Sequence, residues 1–211
     1  TRINTNPFLK NVLWIAGGTA AAQAITILST PIITRLYTPA DFGIFTVFAA
    51  FIGIVGQLST MRYSVTIPLA DSEDLAENIL KLCFLITFLF SLLLWFITLL
   101  FGDYFTAKTS MPQAKPYLWL LPLCVLGAGL YEALSSWAQL QKYFKVIART
   151  SLSQGISSAG IKIVLGWIGI KPFGLLLGLF ASQVAGSGSL LIKLIKEKPY
   201  FFHKYSWQGI K

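Results

Sequence analysis

Three charged side chains lie inside otherwise apolar stretches: Lys162 in "SSAGIKIVLGW", Glu132 in "LYEALSSW" and Arg62 in "LSTMRYSVTIP". An ionisable group within a membrane-spanning segment faces the bundle interior or a wet cavity, and it marks a functional position by default. A lysine offers a compact positive charge, whereas the planar guanidinium of Arg62 is suited to gripping a phosphate or carboxylate through two hydrogen bonds. Lys162 falls about 15 residues into its apolar segment and Glu132 about 10 residues from the end of its own, which at 1.5 Å per residue places them roughly 22 and 15 Å from the same boundary. Two arrangements satisfy these depths. Lys162 and Glu132 form an ion pair between neighbouring helices, or Lys162 presents its charge to an anionic substrate while Glu132 restrains or releases it. Arg62, near the boundary, either snorkels to lipid phosphates or binds an anion.

Other clusters carry less. The run "ADSEDLAEN" (70–78) has four acids but lacks the tighter aspartate pairing of a metal or diphosphate site, and Asp71 or Ser72 as a helix N-cap with acids in the first turn accounts for it. The single histidine, His203, sits in an aromatic tail, "PYFFHKYSW", of interfacial character. No nucleophile and base set, Gly-rich phosphate loop or cluster of metal ligands is present, so the chain reads as a non-enzyme without a cofactor.

The elements that must position these charges are set by composition. Of 211 residues 55% are hydrophobic and only 12% charged, with a mean hydropathy of +0.68, against about 25% charged in soluble domains. Apolar runs such as "LCFLITFLFSLLLWFITLLF" do not alternate with polar residues, which excludes a membrane β-barrel and leaves helices. The expected fold is an all-α polytopic transmembrane bundle, with spans at about 8–33, 41–66, 79–101, 117–140, 147–169 and 173–195. Residues 1–195 form the helical lobe and 196–211 a basic, aromatic tail. Pro39 and Asp41, Pro68, and Pro112 with Pro116 mark turns, and Pro172 suits the start of the last helix. The amino-terminal stretch runs on past its small-residue "AQA" (22–24), so it reads as a retained span rather than a signal peptide.

With the amino end placed inside, twelve of the 17 Lys and Arg residues fall on the inner side and four (Arg35, Lys108, Lys115, Lys171) outside. That bias makes both ends cytoplasmic. The net charge of +9 is then a signal of orientation and of contact with anionic membrane lipids, not of nucleic-acid binding. Cys83 and Cys124 fall at opposite depths of antiparallel spans and are expected to be unpaired and buried. Small residues cluster in "AGGTAAA", at Gly53, Gly56 and Ser59, in "SLSQGISSAG" and at Gly174 and Gly178. They either serve close helix packing alone, or some of them, with Gln23, Thr26, Gln57, Ser59, Gln154, Ser157 and Ser158, line a wet cleft.

The segment from Ile33 to Leu82 resembles the first hairpin of polysaccharide-export flippases, the O-antigen flippase type of the multidrug/oligosaccharidyl-lipid/polysaccharide superfamily. Arg35, Pro39, Phe42 and Gly43 match its "R-x-x-x-P-x-x-F-G" turn, Arg62 and Tyr63 its "L-R-Y" helix end, and Asp71 to Glu77 its acidic loop. "KPFGLLLGLFASQVAG" is similar to the family's Gly-rich sixth helix. The resemblance implies a two-lobed bundle of about 12 to 14 helices that works by alternating access, of which six helices would be the amino-terminal lobe. It further implies a polyprenyl-diphosphate-linked oligosaccharide carried from the inner to the outer leaflet of a bacterial or archaeal cytoplasmic membrane. Its implied partners are the missing carboxy-terminal lobe or a second copy, and a polysaccharide polymerase complex. Lys162, Arg62, Glu132, Gln57, Gln154 and Gln23 are the candidate substrate-binding residues. The competing expectations are a cation-coupled multidrug exporter of the same superfamily and a non-transporting scaffold of a polysaccharide synthesis complex.

Overall fold

A computed structural model describes residues 7–108 and 112–198. Among them are six α-helices and no strand: α1 (Pro7–Leu36), α2 (Pro39–Leu58), α3 (Glu73–Lys108), α4 (Leu120–Leu140), α5 (Phe144–Ile168) and α6 (Phe173–Glu197). Two 3-10 segments, Tyr63–Leu69 and Pro112–Tyr117, precede α3 and α4. The tail beyond Lys198, including His203, lies outside the described residues. Five helices are long and apolar enough to cross a membrane. The sixth, α5, has a spanning length of 25 residues, but the polar run from Thr150 to Ser158 and three basic residues lower its hydropathy. Lipid does not hold α5 in place. It packs between α1 and α6.

Local chemistry explains the boundaries. Thr38 and Asp41 form a reciprocal capping box, with Asp41 Oδ2 accepting from Thr38 N at 2.8 Å, and Pro39 sits where its missing N–H costs nothing. The second helix was expected to run to about residue 66, yet α2 stops at Leu58. Ser59 turns its N–H and hydroxyl back onto Gly56 O, and Met61 and Arg62 adopt left-handed φ values of 46° and 64°. The chain then continues as the 3-10 segment Tyr63–Leu69, whose Ser64 and Ile67 are wholly buried against α3 and α4.

At the start of α3, Ser72 is the cap, its Oγ accepting from Leu75 N at 3.3 Å, with Glu73 and Asp74 in the first turn. The acidic run does more than cap. Glu73 and Glu77 both bind Lys198 at the end of α6, and Gln141 in the α4–α5 turn donates to Glu73 at 3.4 Å. Partial burial opposes the Lys198 charge, but the two carboxylates outweigh it and hold the ammonium pKa above its usual value. At 36 residues α3 is roughly 54 Å long, so it projects well beyond a hydrocarbon core of about 30 Å.

The hub is α4, which contacts α2, α3, α5 and α6 and buries Cys124, Val125, Leu134 and Trp137. Its two halves belong to separate cores. One, at the end carrying the α2–α3 and α4–α5 connections (the tail end), gathers Ile67, Leu80, Cys83, Trp137 and Leu190. The other, toward the α1–α2 and α5–α6 turns (the turn end), gathers Phe48, Leu120, Cys124 and Leu176. Cys83 and Cys124 are thus buried, free and apart, as expected.

Because lipid tails are as apolar as the side chains, close packing rather than water exclusion joins such helices. Several small residues serve that end. A Cβ on Gly129 would meet Thr87 Cγ2 at 2.6 Å and also Ser59, one on Gly18 would meet Ala148, and one on Gly155 would come within 3.3 Å of Ala22. Gly17, by contrast, faces open space. Replacing Gly129 with Val should therefore cost about 1–3 kcal/mol through overpacking and lower the midpoint of detergent-induced unfolding. Gly17→Ala should leave that midpoint unchanged or raise it, since Ala is the better helix former by up to about 1 kcal/mol.

Candidate functional site: a polar cleft between the first two helices

From their shared turn α1 and α2 take different partners, α1 lying along α5 and α2 against α4 and α6. Over α5 and α6 lie three chambers in series that together form a cleft: the turn-end one is walled by α1 and α2, the central one by α1, and the tail-end one by α2 and α4. Thr26 and Ser158 border both the turn-end and central chambers, while Gln154 and Ser182 border both the central and tail-end ones.

The turn-end chamber, about 170 Å³, holds Lys162 with Ser29, Thr30, Phe42 and Phe45. The lysine ammonium lies 4.6 Å above the Phe45 ring, a cation–π contact. The backbone is held too, because the Tyr37 hydroxyl donates to Lys162 O at 2.7 Å. Tyr37 itself fills the space left by Gly166 and Gly174. Gly178 completes the setting, since a Cβ there would meet Lys162 Cγ at 2.5 Å.

The tail-end chamber, about 550 Å³, is lined by Gln57, Arg62, Tyr131, Glu132, Gln154 and Gln183 among others. Glu132 Oε1 accepts from Ser64 Oγ at 2.7 Å, and Ser64 lies 3.3 Å from Thr60 Oγ1. A hydroxyl chain therefore ties the carboxylate of α4 to the irregular turn that carries Arg62. The left-handed backbone at Met61 and Arg62 is uncommon for side chains of that size and persists only where surroundings enforce it. Here the enforcing contacts are the burial of Thr60 and Ser64.

Of the two arrangements that the sequence allowed, the Lys162–Glu132 ion pair is not formed. Lys162 stands six residues before the end of α5 and Glu132 eight before the end of α4. These helices run in opposite senses, so the two groups differ in depth by roughly 15 Å. The shorter separation expected from sequence came from starting α5 at 147 rather than 144 and from placing Glu132 about ten rather than eight residues from the end of α4. Lys162 rests on an aromatic face and Glu132 on a hydroxyl. Among the described residues neither Lys162 nor Arg62 has a carboxylate partner.

The other expected residues divide. Gln23, Thr26, Gln57, Gln154 and Ser158 line the cleft. Ser59 does not, being wholly buried at the α2–α4 contact beside Gly129, and Ser157 borders none of the three chambers. Residues not anticipated are Tyr37, Phe45, Tyr131, Ser182 and Gln183. A signal for one of them was present: Gly178, Ser182 and Gly186 recur every four residues, as do Gln154, Ser158 and Lys162 on α5, so each set forms one helical stripe. The stripes face each other, with Gly178 against Lys162 and Gly186 against the Gln154 amide.

The described residues include no group of three or more His, Cys, Asp or Glu that could hold a metal. The arrangement offers amide and hydroxyl groups along a groove with an unpaired cation near each end. No curated protein and no solved structure gives a significant match to the chain. The family model for "Polysaccharide biosynthesis protein" matches residues 32–206, from the last turn of α1 to beyond α6. With its apolar helices and that match over most of its length, the chain is a multi-pass membrane protein belonging to the polysaccharide biosynthesis protein family.

Proposed function

We propose that the cleft is one wall of a path by which a polyprenyl-diphosphate-linked oligosaccharide crosses the bilayer, from inner to outer leaflet, without covalent chemistry. The observation that carries this reading is the pair of cations, Lys162 and Arg62, placed near opposite ends of one polar groove and free of carboxylate partners. Lys162, inside α5 without a counter-charge, is costly there, and a diphosphate supplies one; Arg62, exposed and bordering the same chamber as Glu132, adds a second cation nearer the boundary. Amides and hydroxyls between the two ends supply partners for a glycan. A cationic drug would be repelled by two of the three charged residues lining the chambers, which favours the anionic lipid over the multidrug alternative.

Six helices make one wall, so a second lobe or a second copy of the chain completes the path in this reading. The excess of Lys and Arg on one side sets both ends of the chain in the cytoplasm. A bacterial or archaeal cytoplasmic membrane, where such lipid-linked precursors are made, is the proposed location.

In full-length protein, Lys162→Ala is expected to slow transfer of a polyprenyl-diphosphate oligosaccharide across proteoliposomes by roughly tenfold or more, the loss of one charge-assisted contact, at unchanged protein abundance. A rate equal to wild type would overturn the role of Lys162. Arg62→Ala should also slow transfer and Arg62→Lys should recover part of it, whereas full activity in the alanine variant would reduce Arg62 to a lipid anchor. Since Lys162 and Glu132 do not touch, the stability effects of Lys162→Ala and Glu132→Ala should add to within about 0.5 kcal/mol. A larger coupling would restore the ion pair.

A further inference from the structure

The central chamber differs from its neighbours in one respect: none of its nine lining residues is charged. Gln23 of α1 faces a floor made by Gln154 and Ser158 of α5 and Ser182 of α6, with Thr26 at one end and Ser151 at the other. Lys162 belongs to the chamber on one side, Arg62 and Glu132 to the chamber on the other. We propose that the central chamber is a subsite for one uncharged sugar ring, held between the chamber of Lys162 and the chamber of Arg62 and Glu132. This rests on the translocation reading and narrows its substrate to glycans with a neutral residue at this position.

The chemistry argues for a neutral ring. Two carboxamides and several hydroxyls present both donors and acceptors, which is what a polyol needs on its own donors and acceptors. A carboxylate placed among them would lose its hydration and find dipoles but no cation, a cost that a hydroxyl avoids. Size argues for a single ring. The chamber holds about 250 Å³, just below the roughly 300 to 1,000 Å³ of sites for drug-sized ligands. The absence of side chains on α6 matters as well. Gly186 lets the Gln154 amide lie against the α6 backbone, and the Tyr131 hydroxyl, in reach of Ser135, Ser151 and Gln154, steadies the same amide.

The test uses full-length protein in lipid nanodiscs and three probes: a bare polyprenyl diphosphate, the same lipid carrying one hexose, and the same lipid carrying one hexuronic acid. Wild type should bind the hexose probe roughly tenfold more tightly than either of the others. Gln154→Leu should remove that gain, and Gln23→Arg, at an exposed position of α1, should shift the preference to the hexuronic acid. Equal affinity of wild type for hexose and hexuronic acid, or an unaltered preference in Gln23→Arg, would overturn the subsite. In that case, continued binding of the bare lipid that Lys162→Ala abolishes would leave the translocation reading standing. Failure of all three probes to bind would overturn the translocation reading and the subsite with it.

Discussion

The seating of α5 between α1 and α6 is the constraint on which the rest of this structure depends. A helix bearing Gln154, Ser158 and Lys162 on one stripe cannot face lipid at small cost. It is held instead against α6, where Gly178 and Gly186 lack the side chains that would displace Lys162 and Gln154. Once α5 is bracketed in this way, α1 lies along its far side through Gly18 and Gly155, and the polar stripe has only the gap toward α2 to face. The cleft follows from close packing of small residues, because in lipid little else draws helices together.

The ends of the cleft are built differently. At the turn end a single aromatic, Tyr37, plugs the space over Gly166 and Gly174 and fixes the backbone of Lys162 with one hydrogen bond. At the tail end the backbone itself departs from helix. Ser59 folds back on α2, and two left-handed residues lead into a buried 3-10 turn whose Ser64 reaches Glu132. The turn-end chamber is thus the smaller and is bordered by regular helix, while the larger chamber is bordered by an irregular, hydroxyl-bonded segment. Below it Lys198 joins the last turn of α6 to the first turn of α3, so the acidic run braces the tail end of the bundle as well as capping a helix.

Much of this was legible along the chain. Hydropathy located all six helices, proline and the Thr38–Asp41 pair marked the first turn, and Ser72 with its following acids marked the start of α3. The cleft residues Gln23, Gln57, Gln154 and Ser158 were found by one rule, that an amide or hydroxyl well inside an apolar helix needs a polar surrounding. The same rule misplaced Ser59, whose hydroxyl is satisfied within its own helix at Gly56 O and needs no cleft. It also missed Tyr37 and Phe45, because an aromatic in an apolar segment looks like any other lipid-facing residue until its neighbours are known.

By itself the sequence determined the class of molecule, the number and order of its helices, and a set of polar positions that had to turn away from lipid, since each of these follows from local composition and from the cost of placing polar groups in hydrocarbon. Only the tertiary structure decided which of those positions meet. Depth along two antiparallel helices cannot show whether Lys162 and Glu132 share a cavity, and the fold sends one to an aromatic face at the turn end and the other to a hydroxyl roughly 15 Å away. Partner choice depends on which small residues allow which backbones to approach, and that is a property of pairs of helices in contact, not of either one alone.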